Sequence, residues 1–183
     1  MKIALVGAHN TGKTSLFLRM YSCYKFAGLE FFPEVIREVQ RNGFRINENA
    51  NDATQLAMCA YHLNHLSYEN FVTDRCLLDN YVYAKVLSRS ENPFVTTDCA
   101  DIIKKYHAQN ANKIDLYVYC PIYFEMRNDG VRTVNKEFQK AIDDEFQDML
   151  RTLPKDKVLK VTGDTDERFE QVLKKFNELG AKQ

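Results

Sequence analysis

Apolar positions along the chain follow two rhythms. Lys2 to Val6 is a short apolar run feeding Gly7, whereas from Lys13 to about Tyr24 the residues Leu16, Phe17 and Met20 recur at the spacing of one helix face. The pair predicts a strand followed by a helix. Leu29 to Phe32 reads as a second strand stopped by Pro33. Val35, Ile36 and Val39 then give a short helix one buried side before Gly43 ends it. Asn51 or Asp52 is placed to cap a third helix, in which Ala53, Leu56, Ala57, Ala60 and Leu63 form the expected core-facing stripe.

Phe71 and Val72 predict a short strand leading to Asp74, and Ile114 to Cys120 predicts another, with helical stretches near 79 to 89 and 98 to 110 between them. After Pro121 the run Arg127-Asn128-Asp129-Gly130-Val131-Arg132 is too polar and turn-prone for a strand, and it predicts a lid at about 122–135. A helix follows with Phe138, Ala141, Ile142, Phe146, Met149 and Leu153 on one stripe, stopped by Pro154. Val158 to Val161 reads as the last strand. Phe169, Val172, Leu173, Phe176 and Leu179 mark the last amphipathic helix, closed by Gly180. Strands alternating with helices predict an α/β fold with right-handed crossovers, and 183 residues suit a single domain over 1–183.

Composition narrows the setting. Twenty-five basic residues balance 25 acidic ones, which argues against a nucleic-acid or anionic-membrane binder. The five cysteines, at 23, 59, 76, 99 and 120, include no C-x-x-C pair, so a disulfide framework or zinc ribbon is not indicated and a reducing cytosol is the expected compartment. The apolar run at Ile3 to Val6 is far shorter than a signal sequence or a membrane span.

Gly7-Ala8-His9-Asn10-Thr11-Gly12-Lys13-Thr14 matches G-x-x-x-x-G-K-[ST] and stands between a predicted strand and a predicted helix, the context in which that motif binds nucleoside triphosphates. Glycines let the backbone wrap closely around phosphate oxygens. Amide groups and the helix N-terminus supply positive potential, Lys13 reaches the β and γ phosphates, and the Thr14 hydroxyl can ligate Mg²⁺. Gly7, Asn10, Thr11, Gly12, Lys13, Thr14 and Ser15 are the expected ATP-binding residues.

Asn112-Lys113-Ile114-Asp115 spells the N-K-x-D that reads guanine in GTP switches, but here it precedes its strand and so falls at the sheet edge opposite the phosphates. No D-x-x-G follows the second or third strand. Other segments, taken in order with the loop, resemble the small P-loop kinases, in particular the nicotinamide-riboside-kinase-like group of AAA-type domains that act on nucleosides or nucleotides. They are Pro33-Glu34-Val35-Ile36-Arg37, Asp74-Arg75 with Asp79, Asp129-Gly130-Val131-Arg132, and Thr162-Gly163-Asp164. The resemblance spans nearly the whole chain and implies a three-layer fold with a five-stranded parallel sheet in the order 2-3-1-4-5. Where nucleoside kinases usually carry Ser or Tyr after the D/E-R pair, this chain has Cys76.

The resemblance implies an ATP- and Mg²⁺-dependent transfer of a phosphoryl group to a small nucleoside or nucleotide. It leaves open a regulatory NTPase, a kinase acting on nucleic-acid ends or modified bases, and a homodimer. Glu34, read as lying on the first turn of a helix begun by Pro33, would orient or deprotonate a hydroxyl, with complementing the helix dipole as the plainer use. Asp74 would hold Mg²⁺ with Thr14. Arg75, Arg37 and Glu34 would hold the acceptor, with Asp79 either touching it or capping the next helix. Lid residues Arg127 and Arg132 would neutralise charge on the phosphoryl group in transit. His62, His65 and Glu69 read as lying on the polar side of the third helix, without a metal-binding spacing. Tyr81, Tyr83, Phe26 and Phe44 are the aromatic candidates for stacking on a base.

Overall fold

The short apolar runs become strands shielded on both faces, as a parallel sheet between helical layers requires. The computed structural model describes residues 1–46, 49–90, 94–123 and 135–180. In it β1 (Lys2–Val6), β2 (Glu30–Phe32), β3 (Phe71–Asp74), β4 (Leu116–Tyr119) and β5 (Val158–Lys160) form a five-stranded sheet in the order β2-β3-β1-β4-β5. Every pairing is parallel, and Leu5 stands level with both Asp74 on one neighbour and Val118 on the other. The central strands are buried, β1 from Ile3 onward and β3 and β4 throughout, while β2 and β5, at the edges, are partly exposed.

The helices are α1 (Lys13–Tyr21), α2 (Ile36–Arg41), α3 (Asp52–His65), α4 (Leu77–Leu87), α5 (Thr97–Asn110), α6 (Lys136–Arg151) and α7 (Thr165–Gly180). On one face, Leu16, Phe17 and Met20 of α1 and Phe169 and Val172 of α7 pack on Ile3, Leu5, Val72 and Val118. On the other, Leu78 and Val82 of α4 and Ile142 and Phe146 of α6 pack on Ala4, Val6, Phe71 and Tyr117. Burying one such side chain contributes roughly 1.5–3 kcal/mol, so these two layers fix the sheet between them. Cys59 of α3 and Ile103 of α5 join Leu77 and Tyr81 of α4 in a further cluster. Among the described residues no helix is long and apolar enough to cross a membrane.

Two helices turn differently from their expected stripes. Asn51 caps α3 by accepting from the Thr54 amide, yet the inward face is Thr54, Gln55, Met58, Cys59, His62 and His65, while Ala53, Leu56 and Ala60 are exposed. Alanines offer little apolar area, and burying Met58 with two imidazole rings removes more surface from water. His62 and His65 therefore do not lie on the polar side. In α6 the buried positions are Gln139, Ile142, Asp143, Phe146 and Leu150, and Ala141 is exposed. The helix turns to bring Asp143 under the Tyr119 hydroxyl at 2.8 Å and Gln139 under the phosphate loop.

His62, His65 and His107 line one tight pocket together with Thr73, Cys76 and Asn110. His65 stacks on Phe32 at 4.1 Å between ring centroids, and His107 stacks on Tyr81. Burial pulls His62 down to about 3, helped by the neighbouring His65 and Arg75, and pulls His65 and His107 down to about 4. The unfolded chain takes up these protons near pH 6.5 and the folded chain resists until pH 3–4, so stability falls as pH drops below about 6.5. Each histidine contributes a slope of about 1.4 kcal/mol per pH unit within that window. Asp79, pushed up to about 6 by burial, works the other way. Denaturant unfolding from pH 4.5 to 7.5 should show a shallower acid-side slope for His62→Gln and His107→Gln than for wild type. Parallel curves would show that these imidazoles are charged or solvated in the folded protein.

Candidate active site

Where β1 ends, the chain needs a conformation that most residues resist. Gly7 has φ 138, Asn10 φ 58 and Gly12 φ 83, and a Cβ on Gly7 would run into the Cys120 carbonyl oxygen. The loop thus closes tightly over the carboxyl end of β4 and enters α1 at Lys13. Lys13 is only 3% exposed, and its Nζ donates to the Ala8 carbonyl at 2.5 Å and to Thr11 Oγ1 at 3.2 Å. Burial, together with the charge of Arg75, lowers its pKa to about 8.

Beside it, the end of β3 delivers Asp74. The Thr14 hydroxyl donates to Asp74 Oδ2 at 2.7 Å, while buried Asp74 Oδ1 has no hydrogen-bond partner among the described residues. Burial and then the charge of Glu34 push the Asp74 carboxyl up from its ordinary value. An unpartnered carboxylate oxygen next to an exposed hydroxyl is a donor set for a hard, oxygen-seeking cation, so these two residues fit Mg²⁺.

Arg75 follows with φ 82, a left-handed conformation costing of order 1–3 kcal/mol for a residue with a side chain. Its amide continues the ladder by donating to the Leu5 carbonyl, so the turn happens at once and the guanidinium swings under the loop. Nε donates to Glu34 Oε1 at 2.5 Å, and Nη1 donates to Asp79 Oδ1 at 3.3 Å and the Gly7 carbonyl at 3.4 Å, with the Tyr83 ring 5.1 Å away. Asp79 Oδ2 also accepts from the Cys76 amide and so closes a capping box on α4. Glu34 precedes α2, whose N-cap is Val35, and is not on its first turn; the ion pair with Arg75, not the helix dipole, fixes its carboxylate.

Glu34, Arg75, Asp79 and Tyr83, with His9 from the loop, line a cleft walled by Ile36, Ala50, Met58 and Leu87. Gln55 also lines it and accepts from the Asn80 amide at 2.6 Å. Of the aromatic candidates only Tyr83 reaches this cleft. Phe26 and Tyr81 are core residues, and Phe44 packs against the Val35–Val39–Met58 cluster. Arg37 is exposed on α2 and is not among the lining residues; Ser15 is exposed at the start of α1. Arg127 and Arg132 lie outside the described residues. Asp115 accepts from the Lys2 amide at the amino edge of the sheet, which places the N-K-x-D tetrapeptide opposite the loop.

Sequence reasoning missed His9, Gln139 and Arg168. His9 stacks on Phe138, 5.8 Å between centroids, and its ring bonds the Tyr83 hydroxyl at 3.2 Å. Gln139 and Arg168 carried a signal of another kind: each is a polar residue in register with an apolar stripe, at i−3 from Ile142 and i−4 from Val172.

The model of the AAA domain family matches residues 2–168. Among solved structures, deoxyadenosine kinase from M. mycoides with the products dCMP and dCDP is 18% identical at a TM-score of 0.71, over 97% of this chain and 100% of that one. NadR protein in complex with NR is 19% identical at a TM-score of 0.74, over 96% of this chain and 50% of that one, so the present chain spans half of NadR. NadR with NAD and AMP-PNP gives 16% identity and a TM-score of 0.71. At these identities the likeness establishes the fold. No curated protein matches the sequence.

The unpartnered oxygen of Asp74 has a measurable cost. Asp74→Asn keeps a bond to Thr14 while removing a buried charge, so the ligand-free protein should gain about 1 kcal/mol, or roughly 3 °C in thermal midpoint at pH 8. A lowered midpoint would show that the carboxylate is satisfied in the folded chain.

Proposed function

The chain belongs to the AAA-domain family, and from that premise and the geometry of its site we propose an ATP- and Mg²⁺-dependent kinase acting on a nucleoside or nucleotide. The γ-phosphoryl group would pass to a hydroxyl or phosphate of the acceptor. One observation carries this reading: the phosphate loop contributes His9 to a second cleft, beside the loop, lined by Glu34, Arg75, Asp79 and Tyr83, so a donor and an acceptor can meet at the loop. A switch that only hydrolyses has no use for that second cleft.

Lys13 would leave the Ala8 carbonyl to neutralise the β and γ phosphates. Thr14 and Asp74 would hold Mg²⁺, which when bound offsets charge on the phosphate oxygens. Glu34, pinned by Arg75, would orient the acceptor hydroxyl and take its proton, and the apolar wall of Ile36, Met58 and Leu87 would keep water from competing. Asp79 shapes Arg75 and also faces the acceptor, while Arg127 and Arg132 complete charge neutralisation in this reading. Among the described lining residues Arg75 is the sole arginine or lysine, and two carboxylates engage it. That favours a small acceptor over a polynucleotide. The free cysteines suit a reducing cytosol.

ATP consumption measured across nucleosides, nucleotides, nicotinamide riboside and oligonucleotides should rise with one small acceptor, whereas acceptor-independent hydrolysis would favour the switch. ATP should raise the thermal midpoint of wild type far more than that of Lys13→Ala, and equal shifts would remove the loop from the mechanism. Glu34→Gln should lower kcat by 10²-fold to 10⁴-fold, about 3 to 5 kcal/mol of barrier, with ATP affinity little changed. Full activity in a less stable Glu34→Gln protein would leave Glu34 a structural partner of Arg75.

A further inference from the structure

A loop that presents its amide N–H groups to an anion turns its carbonyl oxygens the other way, and when those oxygens are buried each needs a donor. The donors here come from all around the fold. The Gly7 carbonyl accepts from Arg75 Nη1, and the Ala8 carbonyl from Thr11 Oγ1 at 2.9 Å and from Lys13. The His9 carbonyl accepts from Gln139 Nε2 of α6 at 2.6 Å, and the Thr11 carbonyl from Arg168 Nη1 of α7 at 2.6 Å. Gln139 is 4% exposed and Arg168 is 1% exposed, 130 and 157 residues along the chain from the carbonyls they reach.

The peptide group is planar and trans, so its C=O and the N–H of the next residue point in opposite directions. A donor fixed on the His9 carbonyl therefore aims the Asn10 N–H, and a donor fixed on the Thr11 carbonyl aims the Gly12 N–H. Both planes adjoin residues of positive φ, Asn10 and Gly12, where the backbone has the most freedom to flip without such an anchor. Arg168 is itself anchored: Nε donates to the Gly163 carbonyl at 2.9 Å, and its guanidinium lies 5.5 Å from the Tyr123 ring. Gln139 is anchored by its helix, since Phe138 beside it stacks on His9.

We propose that Gln139 and Arg168 are positioning residues of the phosphate loop, each holding one outward carbonyl so that the following N–H faces the phosphates of the nucleotide. The inference rests on the nucleotide-binding reading above. It assigns to two residues outside the loop motif a share of the affinity for phosphate that the motif is credited with alone, and it makes α6 and α7 parts of the donor site.

The test measures binding of MgATP and of inorganic tripolyphosphate to the full chain by calorimetry, with thermal unfolding recorded alongside. Gln139→Met keeps side-chain length and removes the donor; Arg168→Met removes the donor while keeping an apolar stem two atoms shorter. Each should weaken both ligands by on the order of 10-fold, the equivalent of one lost hydrogen bond to a preorganised group. Arg168→Lys keeps a donor for the Thr11 carbonyl but not the bond to Gly163, and should bind both ligands more tightly than Arg168→Met, a partial rescue that a purely packing role does not produce. In turnover, the KM for ATP should rise while the KM for the acceptor stays put. Methionine variants that unfold cooperatively and bind ATP like wild type overturn the proposal. If either methionine variant does not fold, Gln139→Asn, too short to reach the carbonyl, decides in the same way: weakened binding supports the assignment and wild-type binding defeats it. A wild type that binds neither ligand overturns the nucleotide reading itself and this inference with it.

Discussion

Five ionisable side chains, Lys13, Glu34, Asp74, Arg75 and Asp79, crowd the carboxyl edge of the sheet with almost no exposure to water. Charge in such a place survives only when compensated. Two cations face three carboxylates, so the cluster in its fully ionised form is one positive charge short. Burial pushes Asp79 up to about 6 and raises Asp74 as well, which eases that imbalance, while Lys13 rests on the Ala8 carbonyl. A divalent cation at Thr14 and Asp74 would reverse the sign of the deficit, which a triphosphate in turn would offset. In the proposed reading, donor and metal would thus complete an electrostatic arrangement that the protein leaves unbalanced.

Backbone geometry serves the same cluster. Arg75 accepts a left-handed φ so that one residue can both close the β3 ladder on Leu5 and carry a guanidinium beneath the loop. Surrounding bonds hold it there: Thr73 donates to its carbonyl at 2.8 Å, and Glu34 and Asp79 fork its side chain. The strain is local and the compensation is spread over β2, β3 and α4.

The central strands and the loop were readable from the sequence because each rests on a local signal. A continuous apolar run marks a strand covered on both faces, and glycines at fixed spacing mark a backbone that no other residue tolerates. The strand order came from the resemblance, since periodicity says nothing about which strand lies beside which. Helix rotation was harder. In α3 the alanine stripe outweighed Met58 and the histidines on paper, but partners distant in sequence, Asn80 under Gln55 and Phe32 under His65, decided which side turned inward. The same holds for the loop's outer donors, because no local pattern joins Gln139 to His9 or Arg168 to Thr11. Polar residues in register with an apolar stripe were the only trace they left.

The sheet order also separates two parts of the molecule. β1, carrying the loop, lies at the centre, and the helices that clamp the loop share its two large apolar layers. Val35, Val39 and Met58, with Ile36, Phe44 and Tyr61 around them, form a small cluster of their own, apart from both layers. Substitutions on that outlying wall disturb neither main layer. If the proposed reading holds, acceptor preference can therefore drift over evolutionary time, or be rebuilt in the laboratory, at little cost to the framework that would hold the triphosphate.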